Sequence, residues 1–257
     1  MTVETGGRGV AVVTGASSGI GAACAVALVR EGFSVVLGAR RLERVAALAA
    51  QLGGTGMARA YRLDVTDTES VEEFCSAVGP ECRVLVNNAG GALGLDPIDS
   101  ADEEKWRIMY ESNVLGTLRM TRSLLGRLVS SGDGMVINIG SVAGFEPYAG
   151  GAGYNAAKHA LRALTDVLRI ELNGKPVRVS EIDPGMVETE FSLVRFDGDA
   201  GRASAVYSGV KPLTAEDVAE IVGFVATRPP HVDIDQVIVR PRDQARVWLV
   251  NRSGPDR

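Results

Sequence analysis

The sequence predicts a single α/β domain of the doubly wound type, with a central, mostly parallel sheet of about seven strands and helices on both faces. Three observations carry this expectation. Short apolar, β-branched runs alternate with longer segments of helical periodicity, the pattern of βαβ units feeding a parallel sheet. The first such run passes directly into a glycine-rich turn and then a helical segment. The chain has 257 residues, 46% of them hydrophobic, enough for one sizeable core, and no repeat, low-complexity tract or linker marks a second domain.

Each element follows in order. Val10-Ala11-Val12-Val13-Thr14 is the first strand, and Gly15-Ala16-Ser17-Ser18-Gly19-Ile20-Gly21 is the turn. Ala22 to Arg30 is helical and is closed by Gly32. A strand, a glycine turn and a helix N-terminus make a phosphate cradle: the glycines let the backbone approach a pyrophosphate, and first-turn N–H groups face the anion. Glycines at 15, 19 and 21 depart from the commoner first-third-sixth spacing. Ser34 to Ala39 is the second strand, Arg41 to Leu52 a helix, and Ala58 to Leu63 the third strand. Thr66-Asp67-Thr68-Glu69 has capping-box spacing for the next helix. Arg83 to Val86 is the fourth strand, and a long helical region opens at Ser100 and reaches about Ser130. Gly134 to Gly140 is the fifth strand, and the helix bearing Tyr154 runs to about Asn173. Val177 to Ile182 is the sixth strand, Thr214 to Thr227 a late helix and Gln236 to Val239 a last strand. The tail 247–257 carries no element signal and is a candidate for disorder.

Composition sets limits on function. No run of eighteen apolar residues suggests a membrane span, and Met1 to Arg8 lacks the apolar stretch of a signal peptide. A formal net charge of −5 argues against a nucleic-acid-binding surface. Cys24, Cys75 and Cys82 are odd in number and lack zinc spacing, so they read as reduced thiols of a cytoplasmic protein. His159 and His231 have no ligand-like partners, and no metal is expected.

Tyr154 and Lys158 stand four residues apart, one turn along one helix face, with Ser141 thirteen residues upstream of Tyr154. An adjacent ammonium favours the phenolate and is expected to pull the Tyr154 phenol below its ordinary value of ~10. A hydroxyl from Ser141 is then placed to hold the oxygen that gains or loses the proton. The set suits interconversion of an alcohol and a carbonyl. Alone, a Tyr–Lys pair at this spacing also fits a solvated helix surface; the glycine turn upstream is what favours chemistry.

On these residues the sequence resembles the short-chain dehydrogenase/reductase family over about Val10 to Arg242: the T-G-x-x-x-G-x-G turn, Asn87-Asn88-Ala89-Gly90, Ser141, and Tyr154-x-x-x-Lys158. The resemblance implies a Rossmann fold and a dinucleotide on Gly15, Ser17, Ser18, Gly19, Ile20 and Gly21. The end of the second strand decides which dinucleotide. An acid there would hold both adenine-ribose hydroxyls, whereas this chain has Ala39 followed by Arg40 and Arg41, two cations suited to a 2′-phosphate. NADP(H) is expected over NAD(H); the competing view is that both arginines merely solvate the start of a helix.

The resemblance also implies roles that spacing does not supply. Asp64 and Val65 would meet the adenine, and Asn88, Ala89 and Gly90 would line the cofactor cleft. Asn113 would be a fourth catalytic residue, holding a water that leads from Lys158 to solvent. Pro184, Gly185, Val187 and Thr189 would place the carboxamide. Tyr154 would act as acid and base, Lys158 would favour its phenolate and bind the nicotinamide ribose, and Ser141 would donate to the substrate oxygen. Residues 190–212 would form a substrate lid. The lid and tail are similar to those of NADP-dependent serine and 3-hydroxy acid dehydrogenases, which implies a small-molecule β-hydroxy acid substrate such as serine or allo-threonine. It also implies a homotetramer, with a homodimer as the alternative. Arg195, the only arginine in the first half of the lid, is the candidate partner for the substrate carboxylate. Two other readings stay open: a ketone or aldehyde reductase of secondary metabolism, and a non-catalytic NADP(H)-binding sensor. The last would be expected to lose Tyr154, Lys158 or Ser141, and all three are present.

Overall fold

Strands β1 (Val10–Thr14), β2 (Ser34–Ala39), β3 (Ala58–Arg62), β4 (Val84–Asn87), β5 (Gly134–Ile139), β6 (Val177–Pro184) and β7 (Gln236–Val239) form one sheet in the order 3-2-1-4-5-6-7. This is the arrangement in the computed structural model, which describes residues 7–252. Every strand pairing is parallel, so the expected "mostly parallel" sheet is wholly so among the described residues. The inner strands β1, β2, β4, β5 and β6 are buried along their whole length. Burial on both faces explains why β1, β2 and β4 read as largely continuous apolar runs, whereas β6 buries Arg178, Ser180, Glu181 and Asp183 as well.

Alternate residues of each strand feed two cores. Ala11 and Val13 pack with Cys24 and Leu28 of α1 (Gly19–Arg30), Val45 of α2 (Leu42–Gln51), and Val218 and Val222 of α9 (Ala215–Ala226). Val10 and Val12 pack on the other face with Phe74 of α3 (Thr68–Val78) and Met120, Leu124 and Leu128 of α5 (Gly116–Ser130). Leu168 of α6 (Ala152–Glu171) joins that second core. Each fully buried aliphatic or aromatic side chain stabilises the fold by roughly 1.5–3 kcal/mol relative to exposure. The three cysteines are buried and free, and burial pushes the Cys24 and Cys82 thiols up to about 12.

Two local expectations are corrected. The long helix expected from Ser100 is divided: Ser100 closes a separate short turn, α4 (Glu103–Tyr110) starts behind Asp102, and a π-helical turn, Glu111–Leu115, separates α4 from α5. Asp102 caps α4 by accepting from the Glu104 N–H at 2.9 Å. Before α3 the cap is Asp67, which accepts from the N–H groups of Glu69 and Ser70, not Thr66. Thr66 is engaged elsewhere, its N–H and hydroxyl both donating to Asp64 Oδ1 at 3.0 and 2.7 Å. The tail is tied down as far as Arg252: the Val247 N–H donates to Glu146 Oε2 at 2.8 Å, and Arg252 donates to the Ser208 carbonyl at 2.7 Å. Residues 253–257 of that tail lie outside the described residues.

The strand order reverses between β1 and β4, whose next strands lie on opposite sides. Ligands of open α/β sheets bind at the carboxyl ends of the strands beside such a switch point. Gly15 follows β1 there, and Asn88 follows β4. The Asn88 amide bridges the two by donating to the Thr14 and Gly15 carbonyls at 2.9 and 3.2 Å.

Candidate active site

A continuous cleft of about 1190 Å³ opens at this switch point. It exceeds the ~300–1,000 Å³ usual for one small ligand, so a dinucleotide and a second reactant have room. Gly15 and Gly19 stand at its floor with φ of 66° and 54°, left-handed backbone that favours glycine. Helix α1 starts at Ser18 without a side-chain cap, leaving its first N–H groups for an anion. Ser17, Ser18 and Ile20 line the same end. Gly21 does not line the cleft. A side chain there would collide with the Asn88 amide and the Gly15 carbonyl, so this glycine lets the turn pack on β4.

Along the cleft, Asp64 and Val65 line one wall, Asn88, Ala89 and Gly90 the centre, and Pro184, Gly185, Val187 and Thr189 the opposite wall. Gln244 supports that last wall, accepting from the Met186 N–H at 2.8 Å. Arg40 and Arg41 both line the adenosine-side end, but they differ. Arg40 is exposed, whereas Arg41 turns inward and donates to the hydroxyls of Ser17 (2.9 Å) and Ser18 (2.8 Å). The view of both as solvated helix-start charges does not hold for Arg41. Glu190, 149 residues away, accepts from Arg41 at 2.9 Å, and from Arg44 at 2.7 Å. Those two bonds pull its carboxyl down to about 2. The sequence reading passed over Glu190, because nothing local links it to the second strand.

Asn113, Ser141, Tyr154 and Lys158 all line the central part of the cleft. Asn113 sits in the π-helical turn, 1% exposed, where its amide donates to the Gly91 and Met109 carbonyls at 2.9 and 2.7 Å. Its Oδ1 has no partner and lies against Gly90, where any side chain would strike it. Ser141 caps the short turn after β5, its Oγ accepting from the Ala143 N–H at 3.1 Å and its own N–H donating to Asp183 Oδ1 at 2.8 Å. Lys158 Nζ donates to the Ile139 carbonyl at 2.8 Å and lies 5.8 Å from the Tyr154 ring centroid.

The electrostatics correct the expectation that Lys158 lowers the phenol. Burial dominates and pushes Tyr154 above its usual value; the neighbouring Tyr148 adds to this, and the Ser141 hydroxyl and Arg195 work against it. Burial also pulls Lys158 down to about 8. As the structure stands, Tyr154 is a phenol, the form that can donate a proton.

Arg195 ends the short helix α7 (Phe191–Arg195), which precedes α8 (Ala200–Ala205) within the 190–212 segment. It lines the cleft, and its guanidinium lies 5.5 Å from the Tyr148 ring centroid. Its Nε donates to the Gly94 carbonyl at 2.9 Å, and its buried Nη2 has no partner. The structure thus brings Arg195 to the same cleft as Tyr154. Tyr148 also belongs to this cleft and was missed, since no motif marks it.

The doubly wound sheet, the glycine cradle under an uncapped helix and the inward arginine beside Ser17 and Ser18 fit a dinucleotide carrying a 2′-phosphate. A buried phenol, ammonium and hydroxyl at the far end complete an oxidoreductase of the NADP(H) class. The short chain dehydrogenase model matches residues 9–198, and the chain belongs to the short-chain dehydrogenase/reductase family. An uncharacterized oxidoreductase of Mycobacterium tuberculosis is 59% identical over 245 residues, covering 95% of this chain and 96% of that protein. An NADP-dependent 3-hydroxy acid dehydrogenase of Salmonella typhi is 43% identical, covering 95% of this chain and all of that protein (100%). A solved structure, the closed form of serine dehydrogenase complexed with NADP+, superposes with a TM-score of 0.89 at 40% identity, covering 92% of this chain and 96% of that one. This chain is an NADP(H)-dependent enzyme of the family, acting on CH–OH groups.

Proposed function

We propose that this chain interconverts the hydroxyl of small 3-hydroxy acids, such as serine or allo-threonine, with the corresponding carbonyl. The observation that carries this reading is Arg195: a cation fixed by Gly94, with a buried and unpartnered Nη2, in the cleft that holds Tyr154. A buried donor without a partner is costly, and turning of the Arg195 guanidinium onto a substrate carboxylate would satisfy it with a charge-assisted bond. The 3-hydroxy acid dehydrogenase and the serine dehydrogenase support the same class of substrate.

Bound NADP(H) supplies the hydride in reduction and accepts it in oxidation. Gly15, Ser17, Ser18, Gly19, Ile20, Arg40 and Arg41 would hold the phosphates; Asp64 and Val65 the adenine; Asn88, Ala89, Gly90, Pro184, Gly185, Val187 and Thr189 the nicotinamide half. Tyr154, held as a phenol by burial, gives its proton to the developing alkoxide in reduction; in oxidation it must first release that proton and then, as the phenolate, takes the hydroxyl proton. Ser141 donates to the substrate oxygen and stabilises its charge. Lys158 supplies the cation that favours the phenolate, and Asn113 anchors the far side of the site. Residues 190–212 act as the lid, with Arg195 reaching inward from it. The same reading makes the protein a cytoplasmic homotetramer, which light scattering in solution would check.

Two measurements test the assignment. Tyr154→Phe should lower kcat by about 10²–10⁴-fold while NADPH binding, followed by fluorescence, stays intact. A screen of β-hydroxy acids against neutral alcohols, ketones and aldehydes should show turnover selective for acids, and Arg195→Met should abolish that selectivity by raising KM for acids alone. An unchanged acid preference in Arg195→Met would sink the carboxylate role. Activity confined to bulky neutral carbonyls would favour a ketone or aldehyde reductase.

A further inference from the structure

Strand β6 carries two carboxylates that the chemistry above leaves unused. Glu181 and Asp183 are 3% and 0% exposed. Two residues apart on one strand, they point to the same face of the sheet. Asp183 is fully engaged: Oδ1 accepts from the Ser141 N–H at 2.8 Å, and Oδ2 accepts from Gln236 Nε2 at 2.7 Å. Glu181 has the Thr165 hydroxyl and the Asp183 carboxyl beside it, but neither of its oxygens takes a well-formed donor. Both carboxylates press on Gly140, where no side chain could be accommodated, immediately before Ser141.

Strand register explains how so polar a set is held inside the fold. Asn87, Asn138, Glu181 and Gln236 occupy one row across β4, β5, β6 and β7. Asn87 donates to Asn138 at 2.9 Å, and Asn138 donates to Thr165 of α6 at 2.9 Å. The amide N–H groups of the row are satisfied as far as Glu181, while Asn87 Oδ1 and the Glu181 oxygens are left without a donor. A buried carboxylate without donors is expensive to keep charged, so this one is retained against a cost.

Both carboxylates act on Lys158 through their charge, while Lys158 Nζ itself donates to the Ile139 carbonyl at 2.8 Å. The ionisable side chains acting on Lys158 are Glu181 and Asp183 from β6 and, on its own helix, Tyr154. Ile139 of β5, Ser141 after it and Asn113 of the π-helical turn bring no charge, and Glu111 of that turn pairs away with Arg119 at 2.5 Å. Burial lowers Lys158 to about 8, and the two carboxylates oppose that. Burial, followed by the charge of Asp183, raises Glu181 to about 8, and burial raises Asp183 as well.

We propose that Glu181 and Asp183 are positioning residues for the reaction: a paired counter-charge beneath Tyr154 that keeps Lys158 an ammonium as pH rises and, through Asp183, fixes the Ser141 backbone. At neutral pH the pair shares a proton and balances the single ammonium. When that proton leaves at alkaline pH, the added charge falls beside Lys158 and holds its own proton in place. The proposal rests on the assignment of Tyr154 and Lys158 as the acid–base pair.

The test compares pH profiles of kcat for the wild type, Glu181→Gln and Asp183→Asn. Glu181→Gln keeps the side-chain volume but cannot gain charge. It should stay within about twofold of wild type at neutral pH and move the alkaline limb down by roughly one pH unit, the effect of one lost neighbouring charge. Asp183→Asn should lose roughly tenfold or more at neutral pH, as both the resting counter-charge and the Ser141 anchor go. If Asp183→Asn does not fold, Glu181→Gln decides alone. A uniform loss at every pH with the limb unmoved would mark a merely structural role and overturn the proposal. Infrared titration gives a readout free of turnover: the carbonyl stretch of a protonated carboxyl should be present at neutral pH and vanish in Glu181→Gln. Its absence from the wild type would equally overturn the proposal. Failure of the Tyr154 assignment shows separately, as full turnover in Tyr154→Phe with the infrared band unchanged.

Discussion

Tyr154 and Lys158 carry a contest between two forces acting on one pair. Sequence spacing implies attraction between an ammonium and a phenolate, which lowers the phenol. Folding adds desolvation, which disfavours both charged forms at once, raising Tyr154 and lowering Lys158. The spacing showed who meets whom, and only the depth of the cleft reveals which force prevails. Arg41 is the reverse case, a residue whose partners matter more than its charge. It already fans across Ser17, Ser18 and Glu190 as a planar fork. Arg41→Ala is expected to raise the Kd for NADPH by about 10- to 100-fold, the worth of one or two charge-assisted bonds, and to leave NADH binding nearly unchanged. Fluorescence titration of both cofactors checks this. Arg41→Lys should not restore the affinity, because a point charge cannot reach three acceptors.

At the level of elements, β1, β2 and β4 were legible almost to the residue because burial on both faces writes itself as a nearly unbroken apolar run. The cradle from Gly15 to Gly21 was legible because its backbone demands glycine. The division of the helix between Ser100 and Ser130 was not, since a π-helical turn has no compositional mark and Asn113 reads as an ordinary helix interruption. The bond between Glu190 and Arg41 was invisible for another reason: it joins the second strand's end to the start of α7 across 149 residues. That link ties the 190–212 segment to the Ser17–Ser18 end of the cleft. Glu190→Gln should remove an anion from beside the 2′-phosphate site and tighten NADPH binding by about two- to fivefold, as expected for a partly exposed pair. Weaker binding in that variant would mean Glu190 serves chiefly to orient Arg41.

For the molecule as a whole, the buried Glu181 makes stability depend on pH in an unusual sense. Its carboxyl is raised from 4.5 to about 8 in the fold, so the native state holds a proton there that the unfolded chain has already released. Stability is then fully present below 4.5 and is lost as pH climbs through about 8. Melting curves from pH 5 to pH 8 should show a falling Tm in the wild type and a flatter line in Glu181→Gln. A parallel fall in both would assign the loss to other groups.

The docking of α7 has a kinetic consequence. The Gly94 N–H donates to the Arg195 carbonyl at 2.9 Å while the Arg195 side chain returns a bond of 2.9 Å to the Gly94 carbonyl, and Tyr207 fastens the same segment by donating to the Val187 carbonyl at 2.9 Å. Tyr207 also meets the Ser192 hydroxyl of α7 at 2.7 Å, so these clasps converge on one short helix and would open together if a reactant passes beneath it. Opening as a unit is slow compared with the loosening of any single bond. Chemistry at Tyr154 would then outpace the traffic around it, and escape of product, rather than the transfer of a hydride, would set the pace of each turnover.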